Sequence, residues 1–215
     1  MPLVSDLTKF TTASPLTTSF SYTEIATGVS ILDYQCFGQT DSVGISYGLG
    51  TKAWWAVPQS TSADVSNSLA FTEEAALDFD SGVMTKGITV EGTATVNGSF
   101  ILIGGEGDGS EGYILFTFYH YDGTTETSLG TIQTPTQSVG GDTTTVYTFL
   151  CSGTLSKKKF KAGDLIRVTA GLWGKKTGTD DVPIALAHDP QNRDANGITA
   201  TTNPTTLNIT IPTRI

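Results

Sequence analysis

Charged side chains are scarce in this sequence, and long apolar runs are missing. Asp, Glu, Lys and Arg make up 15% of the 215 residues, against about 25% in an ordinary soluble domain. No run reaches the roughly 18 apolar residues of a membrane helix, so we expect no membrane partner. A charged start followed by an apolar core is also missing, and we therefore expect no signal peptide. A helical bundle would need more Ala, Leu, Glu and Lys than this chain contains.

Basic residues are few. The chain has 12 Lys and Arg against 21 Asp and Glu, a net charge of −9, which argues against nucleic acid as a partner because such binding needs a positive surface. The balance is −8 over residues 1–107 and −1 over residues 108–215, where the basic side includes Lys157–Lys159 and Lys161. A solvated face is the ordinary interpretation of such a run. Head-to-tail packing of copies of the chain is the alternative.

Only two cysteines are present, Cys36 and Cys151, and both fall in apolar alternating runs. A free cysteine behaves as a small apolar side chain, so we expect buried thiols. Two cysteines form no disulfide framework, although a single disulfide between them is left open.

Glycine and threonine are abundant, with 24 and 37 residues. Threonine is β-branched and favours strands, and glycine favours turns. Apolar residues alternate with polar ones most clearly over Tyr113–Tyr121 and Leu165–Trp173, the period of a half-buried strand. We count about nine to eleven such segments, with no helix–strand alternation. The pattern predicts an all-β protein, an antiparallel β-sandwich of jelly-roll type, with an extended arm over residues 1–18 and one domain over residues 19–215.

Three segments carry more specific predictions of local structure. Phe71–Asp80 contains Glu-Glu-Ala-Ala-Leu and is the best candidate for a short helix. Asn97-Gly98 is a strong turn signal, and it predicts a hairpin between the strands that flank it. Ser60–Ser68 is polar and is expected to be a loop.

The sequence contains one motif of catalytic type. Gly44–Gly48 matches G-x-S-x-G, which activates its serine only in a strand–turn–helix setting, whereas here it lies in an alternating segment. The two histidines, His120 and His188, are too few for a zinc site, which needs three or four converging ligands, and His120 is expected to be a packed or a surface residue of a strand. No pair of carboxylates across a cleft can be placed. We therefore expect no catalytic residues and no enzymatic activity.

Acidic side chains in the predicted loops are candidate ligands for a structural calcium ion. Calcium accepts carboxylates and carbonyl oxygens from flexible loops, although no EF-hand spacing is present. We expect no cofactor, and a structural calcium ion is the one alternative; the candidate ligands are Glu106, Asp108, Glu111, Asp180, Asp181, Asp189, Asp194 and Asn196.

Aromatic residues are the main candidates for binding contacts. Trp54 and Trp55 are adjacent on a predicted strand, so their side chains point to opposite faces and one is expected to be exposed. Core or subunit interface is the ordinary interpretation, and stacking on a glycan is the alternative. In the arm, Phe10 and Leu16 are candidate contact residues. The other aromatic residues available for stacking are Trp173, Tyr119 and Tyr121.

The order of segments resembles that of a viral family. The segment Tyr113–Trp173 contains, in order, a strand, a turn, a strand, a long loop, a strand, the sequence Phe-Lys-Ala-Gly-Asp and a last strand. Phe20–Gly28 is similar to the opening strand of such proteins. His188–Arg193 together with Leu207–Pro212 is similar to their closing segment. Together these resemble the jelly-roll structural proteins of viruses, especially the minor capsid and decoration proteins of phages and archaeal viruses. The resemblance implies attachment to a capsid, often as a homotrimer.

The leading hypothesis is therefore a virion structural protein. It would decorate or cement a capsid, or form a minor part of it, through contacts with capsid proteins and with copies of itself. Its expected location is the capsid surface, after synthesis in the host cytoplasm. The alternative is a carbohydrate-binding β-sandwich or a receptor-binding head domain.

Overall fold

All regular structure in the described residues is β-strand. The computed structural model describes residues 29–40, 45–51, 59–66 and 70–214, and this part of the chain contains no helix able to cross a bilayer. The predicted arm lies outside the described residues, as do Phe10, Leu16, Trp54 and Trp55. The strands are β1 Val29–Thr40, β2 Ile45–Gly50, β3 Ser60–Asp64, β4 Thr72–Ser81, β5 Ile88–Ile103, β6 Ser110–Tyr121, β7 Glu126–Gln133, β8 Gln137–Val139, β9 Thr144–Phe160, β10 Leu165–Lys176, β11 Pro183–Ala187 and β12 Asn208–Arg214.

The strands form two layers, each with four principal strands. The first layer has the order β1-β12-β5-β9, and the second layer has the order β4-β10-β6-β7; all of these pairings are antiparallel. Strand β2 lies between β1 and β4 and joins the layers, and its pairing with β4 is parallel. Strands β11 and β3 extend the first layer beside the end of β5. This four-on-four order is that of a jelly roll, and it confirms the predicted fold class.

The core lies between the inner faces of the two layers. In β6, Ile114, Phe116 and Phe118 are fully buried and alternate with half-buried residues, as the period of a strand requires. The ring of Phe116 lies 5.8 Å from that of Phe149 in β9, which joins the second layer to the first. Each such side chain contributes roughly 1.5–3 kcal/mol through burial.

Three local predictions are wrong, and the first two concern Phe71–Asp80 and Ser60–Ser68. Phe71–Asp80 is not a helix, because its residues form β4, in which the buried Leu77 and Phe79 alternate with outward carboxylates. In β4, a bulge opposite Leu172 and Trp173 places one extra residue in the Glu-Glu-Ala-Ala run. The two-residue alternation that identifies a strand in the sequence is therefore interrupted there. The predicted loop at Ser60–Ser68 begins with strand β3, which pairs with β11.

Asn97-Gly98 is not a turn either. Both residues lie in the middle of the 16-residue strand β5, where Asn97 pairs with Asn208 on one side and Leu150 on the other. A Cβ on Gly98 would lie 3.0 Å from Leu207 Cδ1 and 3.2 Å from a Phe149 ring carbon. The glycine therefore serves close packing within a strand rather than reversal of the chain.

Candidate functional site

The outward side chains of the second layer form a continuous surface, here called the outer face. They stand on β6 and β10 in direct cross-strand register, which places their Cβ atoms roughly 5 Å apart. Four of these side chains are aromatic. The register rows are Tyr113 with Trp173, Leu115 with Gly171, Thr117 with Thr169, Tyr119 with Arg167, and Tyr121 with Leu165.

One end of the outer face carries an aromatic cluster made of Phe71, Tyr113 and Trp173. The rings of Tyr113 and Trp173 are parallel to within 5°, with centroids 6.0 Å apart. Phe71 lies 5.2 Å from Tyr113, and Lys175 places its ammonium 5.1 Å from the centre of the Phe71 ring. All three aromatic side chains are only partly buried. The cluster is therefore a partly exposed apolar surface flanked by a cation.

Gly171 lies beside this cluster, and the side chains of Glu73 and Trp173 cover it. A Cβ at position 171 would lie 2.6 Å from Glu73 Oε1 and 2.9 Å from Trp173 Nε1, so both polar atoms lie over the same glycine. The indole nitrogen is enclosed, and it has no hydrogen-bond partner among the described residues. Glu73 is exposed. The pKa of the Tyr113 phenol is raised, mainly by the burial of the phenol itself and in addition by the negative charge of Glu73. An unsatisfied donor therefore lies next to an exposed acceptor.

The other end of the outer face is organised by Arg167. Its guanidinium makes a bidentate pair with Asp80 through contacts of 2.6 and 2.7 Å, and it also reaches Glu126 at 2.5 Å. It lies 4.9 Å over the ring of Tyr121. The hydrogen bond to Asp80 is the main cause that raises the pKa of Arg167. Asp78, at 3.9 Å, adds a third carboxylate, so acids outnumber bases on this face.

Acidic residues gather at one end of the sandwich, here called the acidic tip. It consists of three loops. Two backbone bonds join the first two, from Gly104 N to Thr143 O and from Asp142 N to Gly105 O, both 2.8 Å, and a bond from Thr177 N to Gly109 O at 3.0 Å joins the third. The Asp108 carboxylate accepts bonds from the backbone N–H groups of Thr179 and Asp180, at 2.7 and 3.0 Å. The acidic residues of the tip are Glu106, Asp108, Asp142, Asp180 and Asp181.

Basic residues gather at the opposite end, here called the basic tip. Thr89 lies in register between Lys159 of β9 and Arg214 of β12, which brings three segments together. Glu91 contacts Lys157 at 3.2 Å and Arg214 at 3.9 Å. The basic residues of the tip are Lys86, Lys157, Lys158, Lys159, Lys161 and Arg214, and they outnumber the acidic Glu91, Asp122 and Asp164 at the same end. Strand β5 spans the distance between the two tips, which is about 50 Å at 3.3 Å per residue.

Both histidines have structural surroundings. His120 is 6% exposed, and its Nε2 lies 2.7 Å from Asp164 Oδ2. The pKa of the Asp164 carboxyl is lowered, first by the Lys161 backbone N–H and then by His120. This pair holds the turn between β9 and β10, as expected of a packed strand histidine. His188 is 1% exposed, and its Nε2 lies 3.0 Å from Thr61 Oγ1.

The next candidates from the sequence are the G-x-S-x-G motif, the two cysteines and the metal-ligating side chains. Ser46 of the G-x-S-x-G motif lies in β2, paired with Gln39 of β1, so the described part of the motif is strand and not a nucleophile turn. Cys36 and Cys151 are both free, Cys36 buried and Cys151 partly so. No group of three or more metal-ligating side chains lies together in the described ranges. Calcium binding stays a prediction.

The structure separates the aromatic candidates. Trp173, Tyr119 and Tyr121 all lie on the outer face, whereas Trp54 and Trp55 lie outside the described residues. Sequence reasoning did not identify Phe71, Glu73 or Gly171 as their neighbours. The outward alternation of Tyr113 was visible in the sequence. The place of Glu73 depends on the bulge in β4, which has no sequence signal of its own.

Comparison with known proteins gives distant similarities of fold. No family model and no curated protein sequence matches the chain. Similar solved structures include a CocE/NonD family hydrolase from Staphylococcus aureus, at 10% identity and TM-score 0.49 over 86% of this chain. An α-amino acid ester hydrolase matches at 10% identity and TM-score 0.49 over 84%. Infectious bursal disease virus, Gx strain, matches at 8% identity and TM-score 0.29 over 81%.

These similarities correct one prediction. The chain spans 36% of the length of each of the two hydrolases and 40% of the viral chain. Because hydrolases stand among the similar structures with the higher TM-scores, they contradict the expectation that the chain has no enzymatic activity, and that expectation is withdrawn. The similarity to the viral structure is distant and leaves a capsid role as a proposal.

Proposed function

We propose that the chain is a structural protein of a virus particle, which decorates or cements a capsid or forms a minor part of it. The observation that carries this proposal is the separation of opposite charges to the two ends of a jelly roll. Double-layer jelly rolls are frequent in viral capsid and lectin domains. A two-layer sandwich with complementary ends has the features of a component that joins to its neighbours through protein contacts.

The acidic and basic tips supply those contacts. Lys86, Lys158, Lys159 and Lys161 have no ion pair within the described ranges, whereas Lys157 and Arg214 share Glu91. At the acidic tip, Lys176 donates to the carbonyls of Thr179 and Asp180. Complementary charge steers association and sets its orientation more than it adds affinity. The tips therefore favour head-to-tail contact between copies of the chain.

A head-to-tail contact is heterologous, so it closes into a ring or continues as a filament. A homotrimer is the closed form that we propose, and the capsid surface is its proposed location. Strand β1 begins at Val29, which pairs with Arg214 at the basic tip.

Solution mass tests the proposal. At about 10 mM salt, where the screening length is roughly 30 Å, we expect a trimer or larger assembly of the 22.6 kDa chain. At about 1 M salt, where it is roughly 3 Å, the assembly should dissociate. Light scattering on a sizing column measures both. A monomer at low salt, or an assembly indifferent to salt, contradicts contact through the tips.

Removal of residues 1–14 should weaken assembly and leave the fold intact. The arm would reach a neighbouring subunit by adding a strand to a sheet edge, with Phe10 and Leu16 as its apolar contacts. Circular dichroism should be unchanged, and the mass at low salt should fall. An assembly of unchanged mass excludes this role for residues 1–14.

Chelation separates a calcium contribution from the charge contribution. If calcium binds at the acidic loops, EDTA should dissociate the assembly at low salt, and added calcium should restore it. Equal masses with calcium and with EDTA would exclude a structural calcium at the contact and leave the contact between the tips intact.

A further inference from the structure

Strand β9 has an open edge that the contact between the tips does not use. We propose that this edge and the groove beside it bind the arm of a neighbouring copy, residues 1–18, as an added β-strand with Phe10 in the groove. The inference rests on the proposed function, which assigns the arm to a neighbouring subunit but not to a particular surface of it. The two can fail separately, because the groove contact is apolar and the contact between the tips is ionic.

The edge has backbone groups available for a further strand. Strand β9 is the longest of the described strands, and among them it pairs with β5 alone. The backbone N–H and C=O groups of its alternate residues therefore point away from the sheet. Strand β7 approaches β9 at Gly153, where a Cβ would lie 2.8 Å from Ile132 Cγ1. For residues 144–152, the described part of the chain contains no backbone partner beyond β5.

This edge lacks the features that normally prevent a sheet edge from pairing. Protected edges are very short, carry lysine or proline, or contain a bulge. Residues 144–156 contain no charged residue and no proline, and their ladder with β5 is regular as far as Leu155. By contrast, β7 at the edge of the second layer has eight residues and a bulge opposite Phe118 and Tyr119. Strand β9 is therefore the edge open to an added strand.

A groove with a volume of about 240 Å³ follows the open edge. Its lining includes five consecutive residues of β9, so it runs along the strand and not over one face of it. Leu150, 74% exposed, is the most exposed large apolar side chain among the described residues. The rings of Phe100 and Tyr147 lie 5.5 Å apart in the wall. The lining residues are Phe100, Pro135, Gln137 and residues 147–151.

The arm has the composition that such a site requires. An added strand gains affinity from backbone hydrogen bonds and specificity from alternate side chains in pockets. Residues 1–18 contain one acidic and one basic residue and five threonines, which favour strands. Pro2 and Pro15 cannot donate to a ladder, which leaves residues 3–14 for pairing. Phe10 is the single aromatic residue of the arm, and its ring suits a groove walled by aromatic rings.

The chain before β1 is long enough for the arm to reach a neighbour. Eighteen residues lie between Phe10 and Val29, and they span about 60 Å when fully extended. This length exceeds the roughly 50 Å of β5 between the two tips. Contact between the tips would hold the neighbour close and raise the effective concentration of the arm at the groove. A contact of one strand is then sufficient for occupancy within the assembly.

Cys151 makes occupancy of the groove measurable. Its partly exposed thiol lies in the groove lining, whereas Cys36, the second of the two cysteines, is fully buried. A fluorescent maleimide labels the natural full chain and the full chain carrying Phe10→Ala, both at low salt. Labelling of the natural chain should be slower by about tenfold or more, because an added strand covers the thiol. The variant Cys151→Ala should stay unlabelled, which identifies the reacting residue.

A synthetic peptide of residues 1–18 tests the groove without the tips. The peptide contains no cysteine, and it is added to the Phe10→Ala chain at about 1 M salt, where ionic contacts are screened. It should slow the labelling of Cys151 in a saturable manner, because apolar packing involves no charge that salt could screen. The same peptide with Phe10→Ala is the matched control, and it should bind about tenfold more weakly or less.

A disulfide distinguishes the arm of a neighbour from the chain's own arm. The full chain carrying Phe10→Cys is oxidised at low salt with diamide, which takes one hydrogen atom from each of two thiols as the sulfur–sulfur bond forms. Position 10 should join Cys151 of the next copy, so non-reducing electrophoresis should show dimers and larger species. Thr11→Cys is the matched control and should join more slowly, because adjacent side chains of a strand point to opposite faces.

Each outcome decides the proposal. Slow labelling of the natural chain, protection by the peptide and a disulfide between copies support it. Absence of protection by the peptide overturns it and leaves the contact between the tips untouched. A disulfide confined to single chains also overturns it, because the arm then covers its own groove. A natural chain that is monomeric at low salt contradicts the proposed function, whereas protection by the peptide would still support the groove as the receiving surface.

Discussion

Acidification is expected to lower the free energy of unfolding by about 2 kcal/mol at pH 5 and about 3 kcal/mol at pH 4, through His188 alone. Burial is the main cause that lowers the pKa of His188 from 6.5 to about 4, and the neighbouring Asp189 opposes this effect. The imidazole lies among the rings of Tyr47 and Phe79, at 5.5 and 5.7 Å, and bonds Thr61.

The sign follows from the two states of the chain. Above pH 6.5 the histidine is neutral in both the folded and the unfolded chain, and its contribution is fully retained. As the pH falls from 6.5 towards 4, the unfolded chain binds a proton that the folded chain does not, and stability is lost. Below pH 4 both states are protonated and this loss ends.

Denaturant unfolding at pH 7 and at pH 5 measures the effect. The control is His188→Gln, whose amide keeps a donor for Thr61 but does not titrate. The variant should lose about 2 kcal/mol less than the natural chain between the two pH values. Identical losses in the two proteins would contradict a neutral buried His188. Most carboxylates titrate below pH 5, so their contribution is small in this window.

Asp189→Ala is expected to lower the free energy of unfolding by about 2 kcal/mol, because it removes a buried carboxylate that accepts charge-assisted hydrogen bonds from the partly exposed Arg193. The Asp189 side chain is fully buried, and it contacts Arg193 Nη2 at 2.8 Å and Nε at 3.0 Å. It also accepts the Arg193 backbone N–H at 2.7 Å. Without the carboxylate, these donors lose their acceptor inside the loop between β11 and β12.

The loop affected is held against the sheet. Its Ile198 is buried with Ile101, Ala185 and Ala187 on the outward side of the first layer. Asp189→Ala should therefore speed hydrogen exchange over residues 190–206. Asp194→Ala is the matched control: Asp194 is exposed and accepts one bond, from Ala200 N at 2.8 Å, so its loss should cost at most about 1 kcal/mol. Equal effects of the two substitutions would contradict the role of Asp189.

The class of fold was predictable because alternation repeats wherever one face of a strand is buried. Tyr113–Tyr121 and Leu165–Trp173 show this period, and they form adjacent strands of the second layer. Local signals failed where tertiary packing overrode them. Position 98 requires glycine because Leu207 and Phe149 pack closely against it, and not because the chain turns there. Both residues lie more than 50 positions away from Gly98 along the chain.

The candidate sites were only partly predictable, for the same reason. Trp173 could be proposed as an exposed aromatic residue from its alternation, whereas its contact with Glu73 depends on the register and the bulge of β4. The lysine run was visible as charge. Its position opposite the acidic loops follows from the antiparallel pairing of β5 with β9, which places Asp142 and Lys159 at opposite ends.

The most direct test of contact between the tips uses two variants that each lack one tip. One carries Lys86→Gln, Lys158→Gln, Lys159→Gln and Lys161→Gln. The other carries Glu106→Gln, Asp142→Asn, Asp180→Asn and Asp181→Asn; asparagine suits position 142, where φ is 57°.

Light scattering at low salt then compares each variant with an equimolar mixture of the two. Each variant alone should be monomeric, because it lacks one half of the contact. The mixture should form a dimer and nothing larger, because the intact acidic tip of the first meets the intact basic tip of the second. Variants that assemble like the natural chain, or a mixture that stays monomeric while the natural chain assembles, would contradict head-to-tail assembly.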